Sequence, residues 1–92
     1  MLFEIYHPPD MSLAALLNEI KLLEMCRVKK EDIVIEFDID VDLKERQEGW
    51  TALDWGLYRG YIEIRAYGTR QYTLTFGMTE KGKEWWRSRQ RD

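Results

Sequence analysis

The stretch from Tyr58 to Lys83, Y-R-G-Y-I-E-I-R-A-Y-G-T-R-Q-Y-T-L-T-F-G-M-T-E-K-G-K, constrains the fold more than any other part of this 92-residue chain. Gly60 follows an amphipathic run and suits the left-handed residue that closes a helix. From Tyr61 the apolar period changes to two. Tyr61-Ile62-Glu63-Ile64-Arg65 and Tyr72-Thr73-Leu74-Thr75-Phe76 are rich in β-branched and aromatic residues and flank Gly68-Thr69-Arg70, so they read as a hairpin. Thr79 then offers a hydroxyl to cap a new helix. Glu80 suits that helix's positive first turn, and the cations from Lys83 to Arg91 suit its end.

A helix closed by Gly, a hairpin and a Thr-Glu-Lys-Gly helix in this order resemble the winged-helix family of DNA-binding regulators. The resemblance is one of fold pattern, carried by the strings RGYIE, YTLT and TEKG and strongest over residues 58–83. It implies a mainly α fold with a small antiparallel β wing (α+β), in which three helices precede the hairpin and a C-terminal helix follows. Residues 1–92 would form a single domain, with 1–9 as an N-terminal strand or arm. The resemblance also implies sequence-specific binding of double-stranded DNA by a small transcriptional regulator. Its recognition helix would span about 43–59 and its wing 61–76. Winged helices serve as protein adaptors too, and a fold alone does not decide function.

Upstream, Leu2 to Tyr6 alternates weakly and His7-Pro8-Pro9 stops any regular element. Asp10 can cap a helix, and Leu13, Leu16, Leu17, Ile20 and Leu23 recur at helical spacing through Met25, which predicts a helix with that stripe in the core. Ile33, Ile35, Phe37, Ile39, Val41 and Leu43 alternate with mostly acidic residues, and periodicity alone predicts a half-buried strand. The resemblance instead asks for a short helix before the recognition helix, and residues 31–37 would supply it. We take the helix as the expectation, the strand being the alternative that enlarges the sheet and weakens the DNA reading. Asp42 with Glu45 has capping-box spacing and starts a helix that runs to Arg59. Leu43, Trp50, Leu53 and Leu57 fall on its inner face in this reading, while Gly49 marks a place where it can break.

The candidate DNA contacts that follow from the resemblance are Lys44, Arg46, Thr51 and Arg59 on the recognition helix and Arg65, Thr69, Arg70 and Gln71 at the wing. Palindromic sites reward two-fold proteins, so a homodimer is expected. Leu22, Met25, Trp55 and one of Trp85 or Trp86 exceed the needs of a small core, which makes Leu22, Met25, Trp55, Trp85 and Trp86 the candidate interface. Trp85 and Trp86 lie about 100° apart around a helix, so both cannot face the same core.

Charge is divided unevenly. Residues 1–48 hold 6 Lys/Arg against 12 Asp/Glu, whereas residues 49–92 hold 8 against 5, so the proposed wing and last helix form the basic half of a chain whose net charge is −3. That acidic balance counts against simple nucleic-acid binding and fits the adaptor alternative. The apolar runs are too short to cross a bilayer and the N-terminus lacks a signal-peptide pattern, so the expected location is the cytoplasm. Asp38, Asp40 and Asp42 open like an EF-hand loop, but Leu43 stands where Gly is needed and Gly49 where a bidentate Glu is needed. The lone cysteine Cys26 and lone histidine His7 lack partners in sequence for a nucleophile and base or for a zinc site. No metal, cofactor or small-molecule ligand and no enzymatic activity is expected.

Overall fold

The computed structural model describes residues 12–66 and 72–90. Their order is α1 (Leu13–Met25), β1 (Cys26–Lys29), β2 (Asp32–Asp38), α2 (Leu43–Arg59), β3 (Ile62–Ala66), β4 (Thr73–Met78) and α3 (Glu80–Gln90). The strands form one antiparallel sheet in the order β1-β2-β4-β3. The fold is therefore α+β, but with a four-stranded sheet where a two-stranded wing was expected.

The expected helix over residues 31–37 is strand β2. Ile33, Val34 and Ile35 are stiff at Cβ and favour the pleated backbone, and their alternation puts Ile33, Ile35 and Phe37 in the core. β2 has partners on both sides. It pairs with β4 from Val34 opposite Gly77 to Asp38 opposite Thr73, and with β1 across the two-residue turn Lys30-Glu31. That turn holds Lys30 at a φ of 57°. Two described helices, rather than three, precede the second hairpin. The expected hairpin is present as β3 and β4, with a register irregularity between Ile64 and Ala66.

Helix ends follow local chemistry. The Asp42 carboxylate accepts from the backbone N–H groups of Lys44 and Glu45, and α2 runs unbroken through Gly49 to Gly60, whose φ of 78° closes it. Ser12, not Asp10, caps α1, accepting from Ala15 N–H at 3.2 Å; Asp10 lies outside the described residues. Thr79 joins two elements. Its hydroxyl donates to the Gly60 carbonyl at 2.5 Å and accepts from Gly82 N–H at 3.0 Å, while its own N–H donates to the Tyr61 carbonyl at 3.1 Å. The TEKG string is thus a clamp between the end of α2 and the start of α3.

The core is a single cluster: Leu22, Ile33, Ile35, Phe37, Ala52, Leu53, Tyr61, Ile62, Phe76, Met78 and Trp85. Both long helices turn inward a side that matches the expected one only in part: Leu53 of α2 lies in the core and Leu23 of α1 packs against it, as expected. α2 buries Gly49, Ala52, Leu53 and Gly56, leaving Leu43, Trp50 and Leu57 partly or largely exposed. The glycines allow close approach. A Cβ on Gly49 would run into the Phe37 ring, and one on Gly56 would stand 2.8 Å from Leu22 Cδ2 and 3.2 Å from Ile62. α1 buries Ala15 and Leu22. Leu13, Leu17 and Ile20 each lie two residues from one of these, about 200° around the axis, and so face away.

The other face of the sheet carries paired charges. Arg65 lies across Gly77, its Nε 2.9 Å from Glu63, one guanidinium nitrogen donating to the Met78 carbonyl at 3.0 Å and the other 3.9 Å from Asp32. Lys29 pairs with Glu36 at 2.9 Å on the same face. Among the described residues no helix is long and apolar enough to cross a membrane.

Candidate interaction surface

Among the described residues, the expected DNA contacts are spread over both sides of the fold. Lys44 and Thr51 are exposed on α2, and the Thr51 hydroxyl donates to the Gln47 carbonyl at 2.9 Å. Arg46 is half-buried and donates to the Ile39 carbonyl at 3.0 Å, pinning the turn between β2 and α2. Arg59 sits 5.8 Å from the ring centres of both Trp55 and Tyr61, a cation stacked on aromatic faces at the far end of the helix. Arg65 belongs to the charge network on the opposite side of the sheet. Thr69, Arg70 and Gln71 lie outside the described residues. The exposed part of α2 also carries Glu45, Glu48 and Asp54, which repel phosphate.

Two of the residues expected at a subunit contact, Leu22 and Trp85, lie in the core. Leu22 has no exposed surface, and Trp85 is 6% exposed, so neither offers a side chain to a partner. Tyr61 and Trp85 stack with ring centres 4.6 Å apart, and Trp55 meets both edge-on at 5.6 and 6.2 Å. Met25, Trp55 and Trp86 are partly buried and pack against the core. Of the adjacent tryptophans, one enters the core and the other rests on its margin.

A carboxylate fastens this cluster to α1. Glu19 Oε1 accepts from Trp85 Nε1 and from Arg89, both at 2.9 Å. Burial pushes the Glu19 carboxyl up, but the hydrogen bonds from Arg89 and Trp85 and the charges of Arg89 and Arg59 outweigh it and hold it below its ordinary value. Burial pushes the Cys26 thiol up to about 11 against a smaller pull from Arg27, so it is protonated and a poor nucleophile at neutral pH. Asp38 and Asp42 spend carboxylate oxygens on the backbone N–H groups of residues 40, 44 and 45. Among the described residues no cluster of three or more His, Cys, Asp or Glu is arranged to hold a metal ion.

What the fold leaves uncovered is apolar. Leu13, Leu16, Leu17 and Ile20 are 70%, 45%, 57% and 46% exposed and form one stripe at the i, i+3, i+4, i+7 spacing of a helix-packing face. Beside it α1 and α2 run antiparallel, joined at one end by the Lys21–Glu45 ion pair, while at the other Ser12 and Ala15 line one cavity with Trp55 and Arg59. Between the two helices lies an open groove of about 490 Å³, lined by Ala14, Leu17, Ile20 and Thr51 and, toward one end, by Glu24 and Glu48. Sequence reasoning found this stripe as an apolar helical period but assigned it to the core. The signal for its true direction lies in α2, where Gly56 leaves room for Leu22 of α1 to come close.

Comparison with protein-family models, with curated proteins and with solved structures finds no significant match to this chain.

Proposed function

We propose that the chain is a protein interaction module that docks a partner on the outer face of α1 and the α1–α2 groove, and that it acts by binding rather than by catalysis. One observation carries this reading: four large aliphatic side chains of α1 stand exposed in one stripe, two of them, Leu17 and Ile20, lining the groove beside α2. Burying them on a partner removes apolar surface from water, the dominant favourable term in most protein association. Placing a photo-crosslinking amino acid at position 17 in the full chain and irradiating it in extract of the expressing cells should yield a discrete heavier adduct. The same label at Glu84, exposed on α3, should not yield it. Failure to form any adduct at position 17 would reject the reading.

Binding of duplex DNA by a homodimeric regulator is a second reading. It is supported by the helix, hairpin and helix that run from Leu43 to Gln90, together with the basic C-terminal half. Fluorescence anisotropy with duplex DNA at low salt tests it, and affinity equal to that for heparin would count against it.

A further inference from the structure

Resting on the docking reading above, we infer that the occupant of the α1 face is an amphipathic helix of another protein, with an aliphatic stripe of its own and Lys or Arg one turn beyond that stripe. The helical form follows from what the face can offer. It is built from the side chains of two helices whose backbone groups bond within each helix, so it presents no row of free N–H and C=O groups to an extended segment. A segment docked there must satisfy its own backbone, and a helix does. The lining residues Ala14, Leu17 and Ile20 are aliphatic, whereas the grooves that hold polyproline segments are lined by aromatic rings. The exposed stripe spans about two turns, which matches the ridge of a short helix laid alongside.

The charge of the partner follows from one end of the groove. There Lys21 is paired to Glu45, and Arg27 donates to the carbonyls of Glu24 and Cys26 at 3.0 and 3.1 Å. Glu24 and Glu48 line the same end, and neither carboxylate enters a salt bridge among the described residues. Two such carboxylates beside an apolar seat attract a cation and reject an acidic partner. They also repel nucleic-acid phosphate and an anionic lipid surface. Helices that lie on membranes carry a polar face rich in Lys and Arg, whereas Lys21 is the single cation of α1. For the same reason a second copy of α1 cannot supply the missing positive charge.

Fluorescence anisotropy of the full chain with labelled Ala-based peptides of about 18 residues, long enough to form a helix, tests this. The peptides share one Leu stripe at i, i+3, i+4 and i+7 and differ only at their two ends, which carry Lys, Gln or Glu. The Lys peptide should bind roughly tenfold more tightly than the Glu peptide at low salt, and the gap should narrow as salt is raised. Leu17→Glu, at an exposed site, should lose binding of all three with an unchanged circular dichroism spectrum. Glu24→Gln/Glu48→Gln should bind the three alike. Glu31→Gln/Glu84→Gln removes the same charge at exposed sites outside the groove and should keep the preference for Lys. Equal binding of the Lys and Glu peptides by the parent, or a preference that survives Glu24→Gln/Glu48→Gln, would overturn the inference. So would the absence of any binding up to about 500 µM, or binding undiminished by Leu17→Glu. In those cases a discrete adduct at position 17 would leave the docking reading standing, and its absence would remove both. An adduct at twice 11.1 kDa would make a second copy the occupant and overturn the inference by itself.

Discussion

Gly82→Ala tests the account of the Thr79 clamp at its tightest point. Gly82 lies in the first turn of α3, and a methyl group there would run into the Tyr61 carbonyl oxygen, with the carbonyl carbon at 2.7 Å and Met78 Sδ at 2.9 Å. On helix propensity alone, replacing Gly by Ala is worth up to about 1 kcal/mol of added stability. The opposing effect is larger because the obstacle is backbone. No rotamer change can relieve it, so α3 must move away from the turn at residues 60 and 61. That movement loosens both the Thr79 N–H bond to Tyr61 and the Thr79 hydroxyl bond to Gly60. Overpacking at a tight contact costs about 1–3 kcal/mol, and each weakened hydrogen bond adds about 1 kcal/mol. The expected net loss is about 2–4 kcal/mol, equivalent for a domain of this size to a fall in Tm of roughly 10–30 °C. Thermal melts by circular dichroism and urea titrations followed by tryptophan fluorescence measure it, the stacked Tyr61–Trp85 pair providing a probe next to the substitution. A Tm within about 2 °C of the parent, or above it, would refute the argument.

Glu19→Gln should lower stability at pH 7 by about 1–2 kcal/mol, because a charge-assisted hydrogen bond to Arg89 becomes a neutral one. Since the Glu19 carboxyl is held below its ordinary value in the folded protein, its contribution is present above the unfolded pKa and is lost as pH falls through the folded pKa. Urea midpoints of parent and variant should therefore converge as pH falls below about 4.5, and a gap that persists at pH 2–3 would contradict the assignment. Lys30→Gly should raise stability by up to about 1 kcal/mol, because it removes a side chain from a left-handed backbone position in the β1–β2 turn; an unchanged or lower urea midpoint would show that this turn carries no strain.

The parts of the fold legible in the sequence were those governed by a few neighbouring residues. The Asp42 cap, the Gly60 stop and the Thr79 cap each follow from side chains within four positions of the backbone they control, and the β3–β4 pairing follows from two strand-forming runs. The β1–β2 hairpin was missed because its turn is Lys30-Glu31, without Gly, Asn or Pro, and because β1 follows α1 with no intervening loop. Alternation at Ile33, Ile35 and Phe37 did point to a strand, and the strand prevailed because β1 and β4 satisfy its backbone on both sides. The candidate site was the least legible part. An apolar stripe has the same period whether it faces a core or the solvent, and the side of α1 that comes close is the one whose Leu22 fits against Gly56 of α2. Counting tryptophans misled for a related reason: Trp55 and Trp85 close on Tyr61, which is supplied by the turn between α2 and β3.

The charged face of the sheet bears on how far molecules of this kind can assemble. Stacking a second sheet there would strip water from Arg65, Glu63, Asp32, Lys29 and Glu36 together, a desolvation of several kcal/mol per ion that their existing pairings do not repay. The sheet's two margins are equally uninviting. β1 is four residues long and carries Arg27 and Lys29, and β3 is interrupted by its register shift after Ile64. Growth into fibres or layers needs at least two surfaces that accept a neighbour, and among the described residues only the helical side offers one. A protein with a single adhesive side forms a pair and stops, staying dispersed at concentrations where a molecule adhesive on two sides would polymerise.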